Sequence, residues 1–537
     1  MFSLHVSLLS GQAVEVKVSA QTQIDDLRAE AQALLGLQQS CRLVSGNTQL
    51  LGGTIIEADL KGDDCLMLVR TPVCISASQW SFAAVMANGK VASWGHFGRG
   101  GHLDDNVQTK LTNVQEIQAT QSSFLAILCN GSAVGWGLSS CCRPIENIKQ
   151  VQVCTEAFAA ILKDGSVVTW GDQKCGGDSS LVQTRLKKVA QIQATYGLQK
   201  YENEGGAFAA ILENGSVVTW GDPEFGGDSS AVQAELYGVQ SIQSTLHAFA
   251  AIRKDGGVVT WGFHDYGQGQ KYEEYFEKAQ EDLINVTHIQ STPRAFAAIR
   301  EDGLVVTWGD DEAGGDSSKA RDSLKNVKCI QATSSAFAAL LTDGSVVTWG
   351  DASYGGDSTA VQTQLRKVVA IQAAQGQSAF ADGGAFAALL GNGRVVTWGH
   401  RKYGGDSADV QGHLKDVREI QATWYAFAAI LGDNSVVTWG SSQSGGDSSR
   451  VQSKLINVRS INSTDEAFAA ILFDGSIVAW GEPGSGGIAC QVKSGEPEEE
   501  EKETKAEAKE EAEQEEEEGS DAQSPGSRAT KARRLAM

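Results

Sequence analysis

Ten tryptophans occupy one position of a repeated unit, and no other feature restricts the fold as tightly. They are Trp94, Trp136, Trp170, Trp220, Trp261, Trp308, Trp349, Trp398, Trp439 and Trp480, out of 12 in the chain. Successive spacings are 42, 34, 50, 41, 47, 41, 49, 41 and 41, so the base period is 41 residues with a few insertions. Self-similarity at such a period marks an array in which each unit is one supersecondary element that buries its apolar surface only against its neighbours. An array also accounts for a chain of 537 residues, which is too long for one ordinary core.

The unit is readable from residues 239–262, VQSIQSTLHAFAAIRKDGGVVTWG. A first strand alternates, as in Val189, Ile192 and Ala194. A second, the AFAAI segment, is small and apolar throughout and carries a phenylalanine in each repeat, such as Phe208 and Phe337. A two-residue turn follows, Asn214-Gly215 or Asp343-Gly344, in which both positions favour positive φ. The third strand, SVVTW, is β-branched and aromatic. Sixty glycines against seven prolines fit short strands joined by tight turns. A strand that is apolar on both faces must be covered on both, and its alanines require the covering sheets to lie close. Small sheets stacked radially meet both demands. The expectation is a mainly β, propeller-like array of ten repeats over residues 74–492, with a closed ring and an open superhelix both admissible.

The T-W-G segment, the D-G or N-G before it and the x-A-A-I/L run resemble the repeats of the regulator of chromosome condensation family. The resemblance implies a propeller used as a protein-binding disc. In that family such discs serve as a nucleotide exchange factor for a small GTPase and as the propellers of HECT-type giant ubiquitin ligases. This chain has alanine, as at Ala207 and Ala336, where the family usually has histidine, and GGDS where it has G-Q-L-G. Only Gly267-Gln268 keeps the Gly-Gln pair.

Residues 1–73 read differently. Leu4, Val6 and Leu8 alternate, Ser10-Gly11 turns the chain, and Val14, Val16 and Val18 alternate again, which is a β-hairpin. Thr22 with Asp25 forms a capping box for a helix whose apolar face is Ile24, Leu27, Ala31 and Leu34, stopped by Gly36. Strands over Arg42–Val44 and Cys65–Val69 complete the set. This order, with RLVSGNTQLLGG (42–53) and CLMLVR (65–70), resembles the β-grasp ubiquitin-like family. The resemblance implies an apolar receptor-binding patch at Leu9, Val44 and Val69. The segment continues into Thr71-Pro72-Val73 without a di-glycine end, so a fixed recognition module is expected rather than a conjugated one.

Three recurrent features invite a ligand. Asp178, Asp228, Asp316, Asp357, Asp406 and Asp447 recur in GGDS-type segments. A serine or threonine three residues before a glutamine (Ser180/Gln183, Ser230/Gln233, Thr359/Gln362, Ser449/Gln452) makes these read as turn caps rather than calcium ligands, since calcium needs six or more oxygens. A glutamine follows the core residue of the first strand, from Gln118 and Gln152 to Gln421, and is expected to tie blade edges through its amide. The loop before AFAA varies on a constant scaffold, as a binding surface does; His247, Arg294, Trp424 and Tyr425 are its candidate partner-binding residues.

Ten cysteines without regular spacing or a C-x-x-C pair read as free thiols, with no metal site and no cofactor implied. The formal net charge of −22 disfavours nucleic acid. Half of it, −11, comes from fourteen glutamates and three lysines between Glu496 and Glu518, within a tail (493–537) of disordered composition. No signal peptide or membrane span is read, so a cytoplasmic or nuclear protein is expected. P-loop, H-E-x-x-H, G-x-S-x-G and Rossmann patterns are absent, which points away from an enzyme. The resulting expectation is a non-catalytic adaptor, its disc holding a protein and its first domain docking ubiquitin receptors or ligase subunits. The alternatives are a regulator of a small GTPase and a HECT-type ligase relative lacking the catalytic domain. Oligomeric state is not legible.

Overall fold

The computed structural model describes residues 2–8, 12–35, 41–45, 48–50, 54–58, 60–62, 64–70, 73–86, 90–129, 131–138, 145–195, 205–262, 279–376, 383–487 and 491–492. All lie in the compact unit Met1–Ser494.

At the N-terminus, β1 (Phe2–Leu8), β2 (Ala13–Val18), β3 (Cys41–Ser45), β4 (Thr48–Gln49) and β5 (Cys65–Arg70) form one mixed sheet ordered β2-β1-β5-β3-β4. β1 and β5 are parallel at its centre, with Val6 opposite Leu66. Helix α1 (Ile24–Leu34) covers one face, and Leu4, Val6, Val16, Val18, Leu43, Leu66 and Leu68 point into a shared core with Ile24, Leu27 and Ala31. This is the β-grasp order. Two details of the helix differ from the sequence reading. Leu34 is 55% exposed and Leu35 takes the core position, because the 24-27-31 stripe continues to 35 at 3.6 residues per turn. Thr22 does not cap the helix: its hydroxyl accepts from Ser19 N at 2.9 Å, and the N-cap residue Gln23 makes no side-chain cap bond. Gly36, Ser10 and Gly11 fall outside the described residues.

From Cys74 onward the chain folds into ten separate antiparallel sheets, or blades, each with three strands in sequence order a, b and c. Blade 7 is representative: Val327–Ala332, Ala336–Leu341 and Val346–Gly350. The last blade gains a fourth strand, Gln491–Val492, on its outer edge. Strand b is buried on both faces. Ala336, Ala338 and Leu340 pack toward blade 8, while Phe337 and Ala339 pack toward blade 6. In strand a, Val189 and Ile192 are three apart yet both buried, because a bulge between Val189 and Gln191 resets the alternation.

The turns between strands b and c are also reset. Leu162 N donates to Ser166 O across three residues, not two, and only the third, Gly165, has positive φ (79°). Asp164 instead accepts from Ser166 N at 2.9 Å. This is the three-residue hairpin with a left-handed glycine. In blade 9 Asn434 (φ 65°) fills that position.

The ring closes. Ala467, Ala469, Ile471 and Ile477 of blade 10 share one core with Ile75, Phe82, Ala84 and Trp94 of blade 1. Arg459 Nη2 donates to Val73 O at 2.6 Å, and Asn462 Nδ2 to Ile75 O at 3.3 Å, across 387 residues of chain. The chain is therefore mainly β and forms a ten-bladed propeller, not an open superhelix.

Candidate binding surface at the channel mouth

Each variable loop joins strands a and b, and its first residue meets the next blade. Gln79 N donates to Gln121 O (3.2 Å), Leu246 N to Pro293 O (3.0 Å), Ser334 N to Gln375 O (2.9 Å) and Gly376 N to Trp424 O (3.0 Å). Trp424 N donates to Asp465 O (2.9 Å) and Asp465 N to Gln79 O (3.2 Å), which joins the last blade to the first. These residues, with Gln118, Gln152 and Cys154 of the inner strands, line a cavity of ≈ 520 Å³ at the propeller axis.

The second loop residue is fixed differently. Its carbonyl accepts from the residue after the T-W-G segment, as in Asp310 N to Arg294 O (3.0 Å) and Ser441 N to Tyr425 O (2.9 Å). Its side chain therefore stands beside the linker that leaves strand c, as in the ion pair of Arg294 with Asp310 (2.5 Å). Tyr425 tilts against Tyr403 (4.8 Å), which stacks on His400 (4.3 Å). The Arg99 guanidinium lies 4.9 Å from the centroid of Trp80. His247 packs against Phe225 (4.4 Å), and burial pushes its pKa down to about 4. Burial and the neighbouring Glu482 raise the carboxyl of Glu466.

The four loop candidates thus divide. Trp424 faces the channel, while His247, Arg294 and Tyr425 belong to the second position, half-buried beside the linkers. Sequence reasoning missed Asp465, which occupies Trp424's loop position in the last repeat, S-T-D-E-A-F, and lines the same cavity. Aligning that repeat with the others was the signal that could have found it.

The expected amide ties between blades form at some positions: Gln193 Nε2 donates to Ser244 Oγ of the next blade at 3.3 Å, as Asn462 in the equivalent position does to Ile75 O, whereas others stay local. Gln290 and Gln372 reach only their own strands, at 3.4 and 3.5 Å, and Gln421 donates to Glu419 Oε1 at 2.8 Å. Further cross-blade bonds come from hydroxyls: Ser244 Oγ to Ala194 O (2.8 Å), Ser291 Oγ to Ser244 O (2.7 Å) and Ser463 Oγ to Ala422 O (2.7 Å). A hydroxyl is short enough to reach the adjacent blade without spanning the channel.

The repeated aspartates are occupied by backbone. Asp178 Oδ1 accepts from Ser180 N (2.8 Å), and Asp228, Asp316, Asp357, Asp406 and Asp447 do the same two residues on. The side-chain bond to glutamine comes from the serine one residue earlier than the sequence pairing placed it: Ser179 Oγ donates to Gln183 Oε1 (2.9 Å), and Gln183 Nε2 to Val167 O (2.8 Å). The segment therefore folds the linker onto strand c.

In the N-terminal domain, Val44 is half-buried on the sheet face opposite Leu43. Val69 pairs with Arg42 in the backbone register, its side chain outside the described residues. Leu9 is also outside them. Cys154, Cys175 and Cys329 are free thiols. No described helix is long and apolar enough to cross a membrane. The repeat tryptophans Trp170, Trp220, Trp261, Trp308, Trp349, Trp398, Trp439 and Trp480 are all buried.

No family model matches the chain, and neither does any curated protein. Solved structures do match. The CRINKLY WD40 ectodomain of the Arabidopsis thaliana receptor kinase ACR4 is 16% identical over 55% of this chain and 97% of its own, with a TM-score of 0.28. Prp20p from Saccharomyces cerevisiae is 16% identical over 52% of this chain and 72% of its own, also at 0.28. Human WBSCR16 is 13% identical over 51% and 89%, at 0.29.

Proposed function

We propose that the chain is a non-catalytic scaffold that binds a protein on the propeller face around the channel mouth, while the N-terminal domain docks a ubiquitin-system receptor. The observation that supports the first half is the division of labour in the repeat. The phenylalanine, the tryptophan and the glycine after it are the same in all ten repeats, where packing and backbone geometry admit little else. Chemistry varies at the second loop position, with Trp80, Glu156, His247, Arg294, Tyr425 and Glu466 offered on one rim. Aromatic and arginine side chains of this kind anchor protein interfaces. The β-grasp sheet, with Val44 on its outer face, supports the second half.

The experiment is affinity purification of the full chain beside an Arg294→Ala, Tyr425→Ala double variant. Loss of a defined partner from the variant, with the melting temperature kept, supports the rim as the partner surface. Identical recovery by both sinks it. Recovery of a small GTPase whose nucleotide exchange the chain accelerates would replace the scaffold reading with that of an exchange regulator.

A further inference from the structure

The channel mouth holds a carboxyl group that the fold leaves incomplete. Asp465 Oδ2 is buried and has no hydrogen-bond partner, although Asp465's own backbone N–H and C=O are both bonded to neighbouring blades. A buried carboxylate oxygen without a donor is costly to keep, so its retention at a cavity wall calls for an explanation. Among the described residues lining the cavity there is no lysine, arginine or histidine, and Glu466, which acts on the carboxyl electrostatically, is of the same sign. Trp424 lines the same wall one blade away, its backbone N–H bonded to the Asp465 carbonyl. Gln79, Gln118, Gln121 and Gln152 add amide groups around the opening.

We infer that this cavity binds a protonated amine or guanidinium head, with Asp465 as its counter-ion and Trp424 as its aromatic wall. A cation supplies what the site lacks, a positive charge and N–H donors together. An indole face is the best aromatic surface for such a group, and the glutamine carbonyls can accept its remaining hydrogens. The volume of ≈ 520 Å³ falls within the range of sites that enclose a small molecule. Burial and Glu466 hold the empty carboxyl well above the usual carboxylate range, so a cation entering the site displaces its proton. The site depends on inward-facing first loop residues and not on the rim, so it stands or falls separately from the scaffold reading.

Calorimetry on the full chain at neutral pH tests it. Two probes separate the sources of such a head group: free agmatine, and an unstructured peptide with one central lysine, compared with its norleucine counterpart. Saturable binding of either probe at one site per chain is the expected result. Asp465→Asn should weaken it at least tenfold, and Trp424→Leu should weaken it to a lesser degree. Binding of agmatine marks a free small cation as the occupant; binding of the lysine peptide alone marks a side chain from a partner. If Asp465→Asn fails to fold, the wild-type protein still decides the matter. Its apparent binding enthalpy should differ between phosphate and Tris because a proton is released. Absence of saturable binding by both probes, equal binding by Asp465→Asn, or binding without proton release would each overturn the inference.

Discussion

Trp349 Nε1 donates to the carbonyl of Gly314, 3.1 Å away in the linker that leaves the preceding blade. The same bond, from the repeat tryptophan to the first linker glycine, recurs at Trp136, Trp220, Trp261, Trp398, Trp439 and Trp480. Trp349 also stacks on its cross-strand partner Phe337, with centroids 5.2 Å apart and planes at 20°. Gly314 (φ 92°) lies so close that a Cβ there would meet the Phe337 ring at 2.7 Å. One aromatic pair therefore seats the neighbouring blade, and the linker must be glycine because the ring leaves no room for anything else.

Trp349→Ala should remove about 3–5 kcal/mol of stability, the usual cost of emptying a buried aromatic site. Trp349→Phe should cost less yet still register, because it refills most of the volume but leaves the Gly314 carbonyl without its donor. Denaturant melts of the two variants check the order. Equal destabilisation would mean that the hydrogen bond, not packing, holds the blades.

Ring closure has its own test at Gly486, the linker glycine of the last blade. Its φ is 90°, and a Cβ there would meet Phe82 of the first blade at 2.7 Å. Gly486→Ala should therefore destabilise about as much as Gly314→Ala. In an open stack Gly486 would sit at a free end and the change would be close to neutral. At this seam Trp94 Nε1 is buried without an acceptor, as is Trp170 Nε1 between the second and third blades, so the closing interface has the packing of the other blades without the indole bond that seven of them make. Thermal melts of the two glycine variants side by side decide between ring and stack.

How much of this could be read beforehand divides along a physical line. The blades were legible because tryptophan, phenylalanine and glycine each repeat at a position where local geometry admits little else. The Leu34/Leu35 exchange was not read, although the 24-27-31 stripe runs on to 35 at 3.6 residues per turn. Nor was the seam, because closure depends on small rotations between blades that no single repeat encodes. Asp465 was visible as a letter, but its role required knowing that the first loop residue points inward. The three-residue turn was missed because Asp-Gly is equally compatible with a two-residue hairpin; only the bond from Leu162 to Ser166 separates them.

His247 makes stability depend on acid. Its folded pKa lies near 4, below the unfolded value, because burial against Phe225 disfavours the imidazolium. The unfolded chain therefore binds a proton first as pH falls, and stability declines from about pH 6.5 down to about 4, then levels. The loss should be on the order of 2 kcal/mol, allowing for solvent at the edge of the ring. His247→Phe should flatten this part of the profile while leaving the carboxylate-driven loss below pH 4. Melts at pH 7, 5.5 and 4.5 for both proteins check it; parallel curves would show that the imidazole is not held neutral.

The N-terminal domain offers the test that bears most directly on the proposed role. Side chains on one strand alternate between the two sheet faces. Leu43 points into the core with α1, so Val44 beside it points away, and its half-buried aliphatic surface is available to a receptor. Changing Leu9, Val44 and Val69 together to serine should abolish binding to ubiquitin-receptor proteins without unfolding the domain. The buried set Leu4, Val6, Val16, Leu27, Leu66 and Leu68 is left intact by these changes. The propeller should keep its own partners, because its blades bury their cores against one another and not against this set. Binding of purified receptor domains to wild type and triple variant, with circular dichroism to confirm the fold, is the measurement. If both bind equally, or neither binds, the β-grasp domain has no docking role through this face. The scaffold would then act through its propeller alone.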